Sequence, residues 1–244
     1  MSIVFTDCTY RYGRKYRPVL EDFSYRVPDG VTIFLGPNGA GKSTMLKLAA
    51  SVIKPRAGHI SVDGISSRNR EFRKYVAWMP QHITAMAGLT SREQVAYTGW
   101  LKGMNRSDAW SQAHESLAVV NLLEKADAKA TSLSGGQLRR LGVASALVHE
   151  CHVLLLDEPT AGMDPTQRRA FRDVLTGVAE AGGVRVLMST HDVADLAEDA
   201  DFVTVLAGGV IRFNGTTKEF LAQAPEDTTE ARHAEGAYTA LTTQ

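Results

Sequence analysis

The chain has 244 residues, no net charge and a pI near 7.1, so no global basic field points to a nucleic-acid partner. Its 44% hydrophobic and 22% charged residues are ordinary for a globular domain with a well-buried core. No apolar run approaches the roughly 18–20 residues that span a bilayer, the N-terminus lacks the apolar stretch of a signal peptide, and two isolated cysteines, Cys8 and Cys151, cannot make a disulfide framework; a cytosolic protein is expected.

Val31–Leu35 (VTIFL) follows the turn residues Pro28, Asp29 and Gly30 and is an unbroken apolar run, the pattern of a strand buried on both faces. It leads into a glycine-rich loop and then a helical stretch with Met45, Leu46, Leu48 and Ala49. Residues from about 84 to 134 hold two expected helices, Glu93–Leu101 and Ala109–Leu123, and no convincing strand, which marks a helical insertion. A further helix is expected over Gln137–Val148, and Val153–Leu156 and Val184–Met188 repeat the buried-strand character. Short β runs alternating with helices predict an α/β fold with a mainly parallel central sheet. One domain is expected over residues 1–224, followed by a Thr-, Glu- and Ala-rich tail, 225–244, that is loosely ordered or partly helical.

Gly36-Pro37-Asn38-Gly39-Ala40-Gly41-Lys42-Ser43 matches a phosphate-binding P-loop in full, and it sits between a strand and a helix as that motif must. Glycines let consecutive backbone N–H groups converge on phosphate oxygens, and the helix N-terminus adds a favourable dipole. Lys42 is placed to reach the β- and γ-phosphates and Ser43 to ligate Mg²⁺. This motif alone says only that a nucleoside triphosphate binds. Val153–Glu158 is an apolar strand ending in two carboxylates: Asp157 to hold the metal, directly or through water, and Glu158 to polarise the attacking water.

Leu133-Ser134-Gly135-Gly136-Gln137 stands 23 residues before Asp157 and opens a helix, so its N–H groups make a second anion site. With this signature the chain resembles the ATP-binding-cassette (ABC) ATPases from about Ile3 to Leu221, most closely the bacterial ABC-2-type exporter group. The resemblance implies an N-terminal antiparallel β subdomain beside the parallel sheet, and ATP contacts extending to Thr44. It also implies a sandwich dimer, in which Ser134, Gly135, Gly136 and Gln137 of one subunit close on the ATP held by the other. Gln81 resembles the Q-loop glutamine that touches Mg²⁺, Asp164 the aspartate at the dimer seam, and His191 the histidine that contacts the γ-phosphate. The family stacks adenine on an upstream aromatic residue; Tyr12 fits best, with Tyr16 as rival.

The reading implied is an ATPase that uses ATP and Mg²⁺ and pairs with a second copy of itself or a paralogous subunit. It would drive a separate transmembrane permease, held at the inner face of the membrane, with a docking groove near Gln81 and the helical insertion. Segments Gly99–Gly103, Arg168–Arg172 and Val210–Gly215 look most like exporters. An importer ATPase and a soluble cassette such as one serving iron–sulfur cluster assembly are the alternatives.

Overall fold

The apolar runs become the middle of one sheet, and the alternation of their side chains builds a separate core on each side of it. The computed structural model describes residues 1–193, 200–225, 228–229 and 232–243. Strands β1 (Ile3–Tyr10), β2 (Leu20–Arg26) and β3 (Val31–Leu35) precede helix α1 (Lys42–Ala49). Next come β4 (Ala57–Val62), β5 (Ile65–Ser66), a single turn α2 (Phe72–Tyr75) and β6 (Val76–Met79). Helices α3 (Ser91–Leu101), α4 (Arg106–Val119) and α5 (Gly135–Leu147) follow, then β7 (Val153–Asp157), α6 (Pro165–Gly182) and β8 (Arg185–Thr190). The chain closes with β9 (Phe202–Ala207), β10 (Val210–Thr216), α7 (Thr217–Leu221) and α8 (His233–Thr242).

A six-stranded sheet runs in the order β10-β9-β3-β8-β7-β6, parallel except for the β9–β10 hairpin at its edge. A four-stranded antiparallel sheet, β2-β1-β4-β5, lies beside it. Every residue of β3 and of β7 is buried, as expected for central parallel strands covered on both faces. Ile33, Leu35, Leu154, Leu156, Val186 and Met188 face a core shared with α3 to α8. Phe34, Val153, Leu155 and Leu187 face a second core shared with α1 and the antiparallel sheet. The period of two along each strand therefore decides which layer a residue joins. The α/β class, the mainly parallel sheet and the antiparallel β subdomain match the reading of the sequence.

Helix boundaries depart from the sequence reading where caps act. α3 and α5 begin two residues before the expected starts because Thr90 and Ser134 form capping boxes with Glu93 and Gln137. α4 starts at Arg106, capped by the Asn105 side chain, and ends at Val119, short of Leu123, because Asn121 takes a left-handed φ of 51°. In the tail, α8 packs through buried Ala237, with Ala234, Tyr238 and Leu241 on the same face. That spacing is one apolar helix stripe, a signal present in the sequence and outweighed there by composition.

Candidate nucleotide-binding and hydrolysis site

The loop between β3 and α1 has a backbone that side chains would spoil. A Cβ on Gly36 would lie 2.3 Å from the Leu206 carbonyl oxygen. Gly41, at φ 108°, is the N-cap of α1 and offers no side chain, so the first N–H groups of the helix face the loop. Lys42 opens α1, and its side chain is only 5% exposed. Its Nζ donates to the carbonyls of Gly36 at 2.6 Å and Pro37 at 3.2 Å, and stands 4.0 Å from Glu158 Oε1. Burial holds the Lys42 ammonium below its usual pKa, with Glu158 and Asp157 opposing that shift.

Asp157 ends β7 almost fully buried, and its Oδ1 accepts from Ser43 Oγ at 2.8 Å and Ser189 Oγ at 2.9 Å. Glu158 comes next with a left-handed φ of 46°, which turns its carboxylate out of the sheet. The Glu158 N–H is held by both the carbonyl and the hydroxyl of Ser189, each at 3.1 Å. Gln81 Nε2 donates to Glu158 Oε2 at 3.2 Å, and His191 Nδ1 lies 3.1 Å from Oε1. A glutamine, an imidazole and an ammonium from three separate elements thus surround one carboxylate.

Tyr12, Asn38, Gly39, Gly41, Lys42, Ser43, Thr44, Gln81, Glu158 and His191 line a single cleft of about 490 Å³. Tyr12 is 57% exposed at its rim, with its hydroxyl 2.9 Å from Thr44 Oγ1 and its ring edge-on to Tyr10. Tyr16 is outside the cleft, its ring lying over Gly13. Pro37 and Ala40 shape the loop from behind: the Ala40 N–H donates to the Pro37 carbonyl at 3.2 Å. Ser134 and Gly135 are exposed at the head of α5, with Gly136 and Gln137 half-buried, and Asp164 caps α6 through the Gln167 N–H. None of these five lines the cleft of the same chain. The hard oxygens of Ser43 and Asp157, 2.8 Å apart, with the Gln81 amide at the same cleft, suit Mg²⁺.

Two residues were missed in the sequence. Ser189 holds both Asp157 and the backbone of Glu158, and lies two residues before His191; only its alternation along β8 could have placed it there. Arg139, on α5, gave no signal in its spacing.

A glycine-rich loop between a strand and a helix, set beside the Asp157–Glu158 pair at the end of β7, is the arrangement of a P-loop nucleotide-binding domain. The chain belongs to the ABC transporter family, whose model matches residues 20–161, and it is an ATPase of that family. It is 37% identical over 216 residues to the ATP-binding cassette sub-family A member 17 of Mus musculus. That match covers 86% of this chain but only 12% of the mouse protein. To the energy-coupling factor transporter ATP-binding protein EcfA2 of Symbiobacterium thermophilum it is 35% identical, covering 93% of this chain and 82% of that one. To the linearmycin resistance ATP-binding protein LnrL of Bacillus subtilis it is 29% identical, covering 89% and 70%. Among solved structures, a dimeric ATP-binding cassette in a post-hydrolysis state bound to ADP and Pi superposes with a TM-score of 0.76 at 25% identity, covering 88% of this chain and 98% of that one.

Proposed function

We propose that this chain is the MgATP-hydrolysing subunit of a membrane transporter whose permease is a separate polypeptide, and that it works in export. The observation that carries the reading is the convergence of Gln81, His191 and Lys42 on Glu158, beside the Ser43–Asp157 pair. In this reading the γ-phosphate lies against the P-loop amides and Lys42, with the adenine over Tyr12. Ser43, Asp157 and Gln81 would hold Mg²⁺, which when bound would neutralise phosphate charge. Glu158 takes a proton from the attacking water as its oxygen bonds to the γ-phosphorus. The bond to the β,γ-bridging oxygen breaks, and its electron pair leaves with ADP. His191 keeps the Glu158 carboxylate aimed and contacts the γ-phosphate.

Ser134 to Gln137 and Asp164, outside the cleft of their own chain, face the ATP of a second copy or a paralogue, and ATP binding closes that dimer. A permease would dock in a groove of about 420 Å³ lined by Trp78, Pro80, Ile83, Met86, Thr98 and Ser145. Trp78 Nε1 and Ser145 Oγ there are buried and have no hydrogen-bond partner among the described residues, which suits a docking segment that brings polar groups. Among the described residues no helix is long and apolar enough to cross a membrane, so attachment to the inner face would run through the permease. The relation to a linearmycin resistance protein and the exporter-like segments favour export. The relation to EcfA2, over a larger share of both chains, favours a second reading as an importer subunit.

The test is Glu158→Gln, tagged and purified from its own cells in mild detergent with MgATP. It should bind ATP, lose hydrolysis by roughly 10²–10⁴-fold, the usual worth of an acid–base group, and retain a multi-span membrane protein. Near-normal turnover would sink the role of Glu158, and a soluble partner alone would sink transport.

A further inference from the structure

Arg139 is the fifth residue of α5, the helix that opens at Ser134. Its guanidinium turns inward, to three backbone carbonyls on two different loops. Nη1 donates to the carbonyls of Gln81 and Glu158, each at 3.3 Å, and Nη2 donates to the carbonyl of Ala161 at 2.9 Å. The Gln81 carbonyl follows β6, and those of Glu158 and Ala161 lie on the loop between β7 and α6, so one side chain ties the helix to both loops. Two of the three belong to residues whose side chains meet each other, Gln81 Nε2 on Glu158 Oε2 at 3.2 Å. Arg139 therefore holds the backbones behind that pair while itself lying outside the cleft.

Glu158 needs such holding. Its φ of 46° is a conformation that residues with side chains seldom adopt, and it persists only where the surroundings over-determine it. Ser189 fixes its N–H, and Arg139, with the Ala161 N–H at 3.3 Å, fixes its carbonyl. A guanidinium suits the task because its planar fork donates in several fixed directions and stays charged.

We infer that Arg139 is a positioning residue for hydrolysis: it ties the backbone of Glu158 and Gln81 to α5 and so sets where the Glu158 carboxylate stands. This rests on the reading of Glu158 as the base. The helix whose first turn would meet the ATP of the second subunit is then the same helix that aims the base of its own subunit. Arg139 does not line the cleft, so its removal should slow turnover and leave ATP affinity alone.

The experiment compares Arg139→Met, which keeps the aliphatic stem, and Arg139→Lys with the parent protein. For each, kcat and KM for MgATP are measured, together with the equilibrium Kd for ATP. We expect kcat to fall by about 10²-fold, the scale of a 1 Å misplacement at a reacting centre, with Kd unchanged and little rescue by Lys. In the Glu158→Gln background, Arg139→Met should cost no further turnover, because residues that act as a unit are not additive. Wild-type kcat in Arg139→Met overturns the inference. So does a kcat loss matched by weaker ATP binding, or an equal loss in both backgrounds, since each marks a general role in folding. If Arg139→Met does not fold, Arg139→Lys carries the same cycle. Normal turnover in Glu158→Gln alone would instead remove the base assignment, which that arm reads separately.

Discussion

Ser189→Ala removes one oxygen from the centre of the molecule and is the sharpest check on how the acidic pair is held. Ser189 is fully buried, donates to Asp157 Oδ1 at 2.9 Å and accepts from the Glu158 N–H at 3.1 Å. The Glu158 N–H keeps the Ser189 carbonyl, also at 3.1 Å, so only the bond to Asp157 is wholly lost. A hydrogen bond to a charged partner is worth about 1.5–3 kcal/mol. At about 2–4 °C per kcal/mol for a chain of this length, Tm should drop by about 3–12 °C. Asp157 would keep Ser43 but lose the donor that fixes its orientation; outer partners of metal ligands typically contribute about 10–100-fold in metal affinity or activity. Thermal melting followed by circular dichroism reads the first effect, and ATPase rate against MgCl₂ concentration reads the second. An unchanged Tm together with an unchanged Mg²⁺ dependence would refute the bridging role of the hydroxyl.

Three further outcomes follow from the same geometry. Ser134→Arg should leave nucleotide binding intact and prevent ATP-driven dimerisation; light scattering that still shows an ATP-dependent dimer refutes the composite site. Lys42→Met should abolish tight ATP binding without lowering Tm, because burial of the ammonium already holds its pKa down and so works against the folded state at neutral pH; a large fall in Tm contradicts this. His149 is pushed down to about 4 by burial and then by Lys102, while the unfolded imidazole titrates near 6.5. Between those values the unfolded chain binds the extra proton, so stability falls as pH drops through that window, by at most about 3 kcal/mol. Denaturant unfolding at pH 7 and pH 4.5 should show a loss that His149→Gln reduces; an equal loss in both proteins removes His149 as its source.

Much of this fold is legible in short-range pattern. VTIFL and VLLLD are continuous apolar runs, and the two strands they make are buried on both faces, so a parallel interior is readable from composition alone. The P-loop and signature are equally local, because each is a backbone shape that particular glycines and caps impose. Helix ends were less legible. The Ser134–Gln137 capping box and the left-handed Asn121 shift boundaries by a few residues, and a periodic pattern does not register side chains that bond backward to the chain.

The sequence by itself determined the kind of chemistry, since Gly36–Ser43, Asp157, Glu158 and the Ser134–Gln137 signature each carry their meaning in residue type and spacing. Only the tertiary structure decided what surrounds Glu158. Gln81, Arg139, Ser189 and His191 come from three parts of the chain up to 110 residues apart, and nothing local marks Arg139 or Ser189 as partners of the Glu158 backbone. They meet because parallel strands β6, β7 and β8 end side by side at one edge of the sheet, with the head of α5 packed beside them. Non-local pairing of this kind is a property of the packed sheet, which no window of the sequence contains.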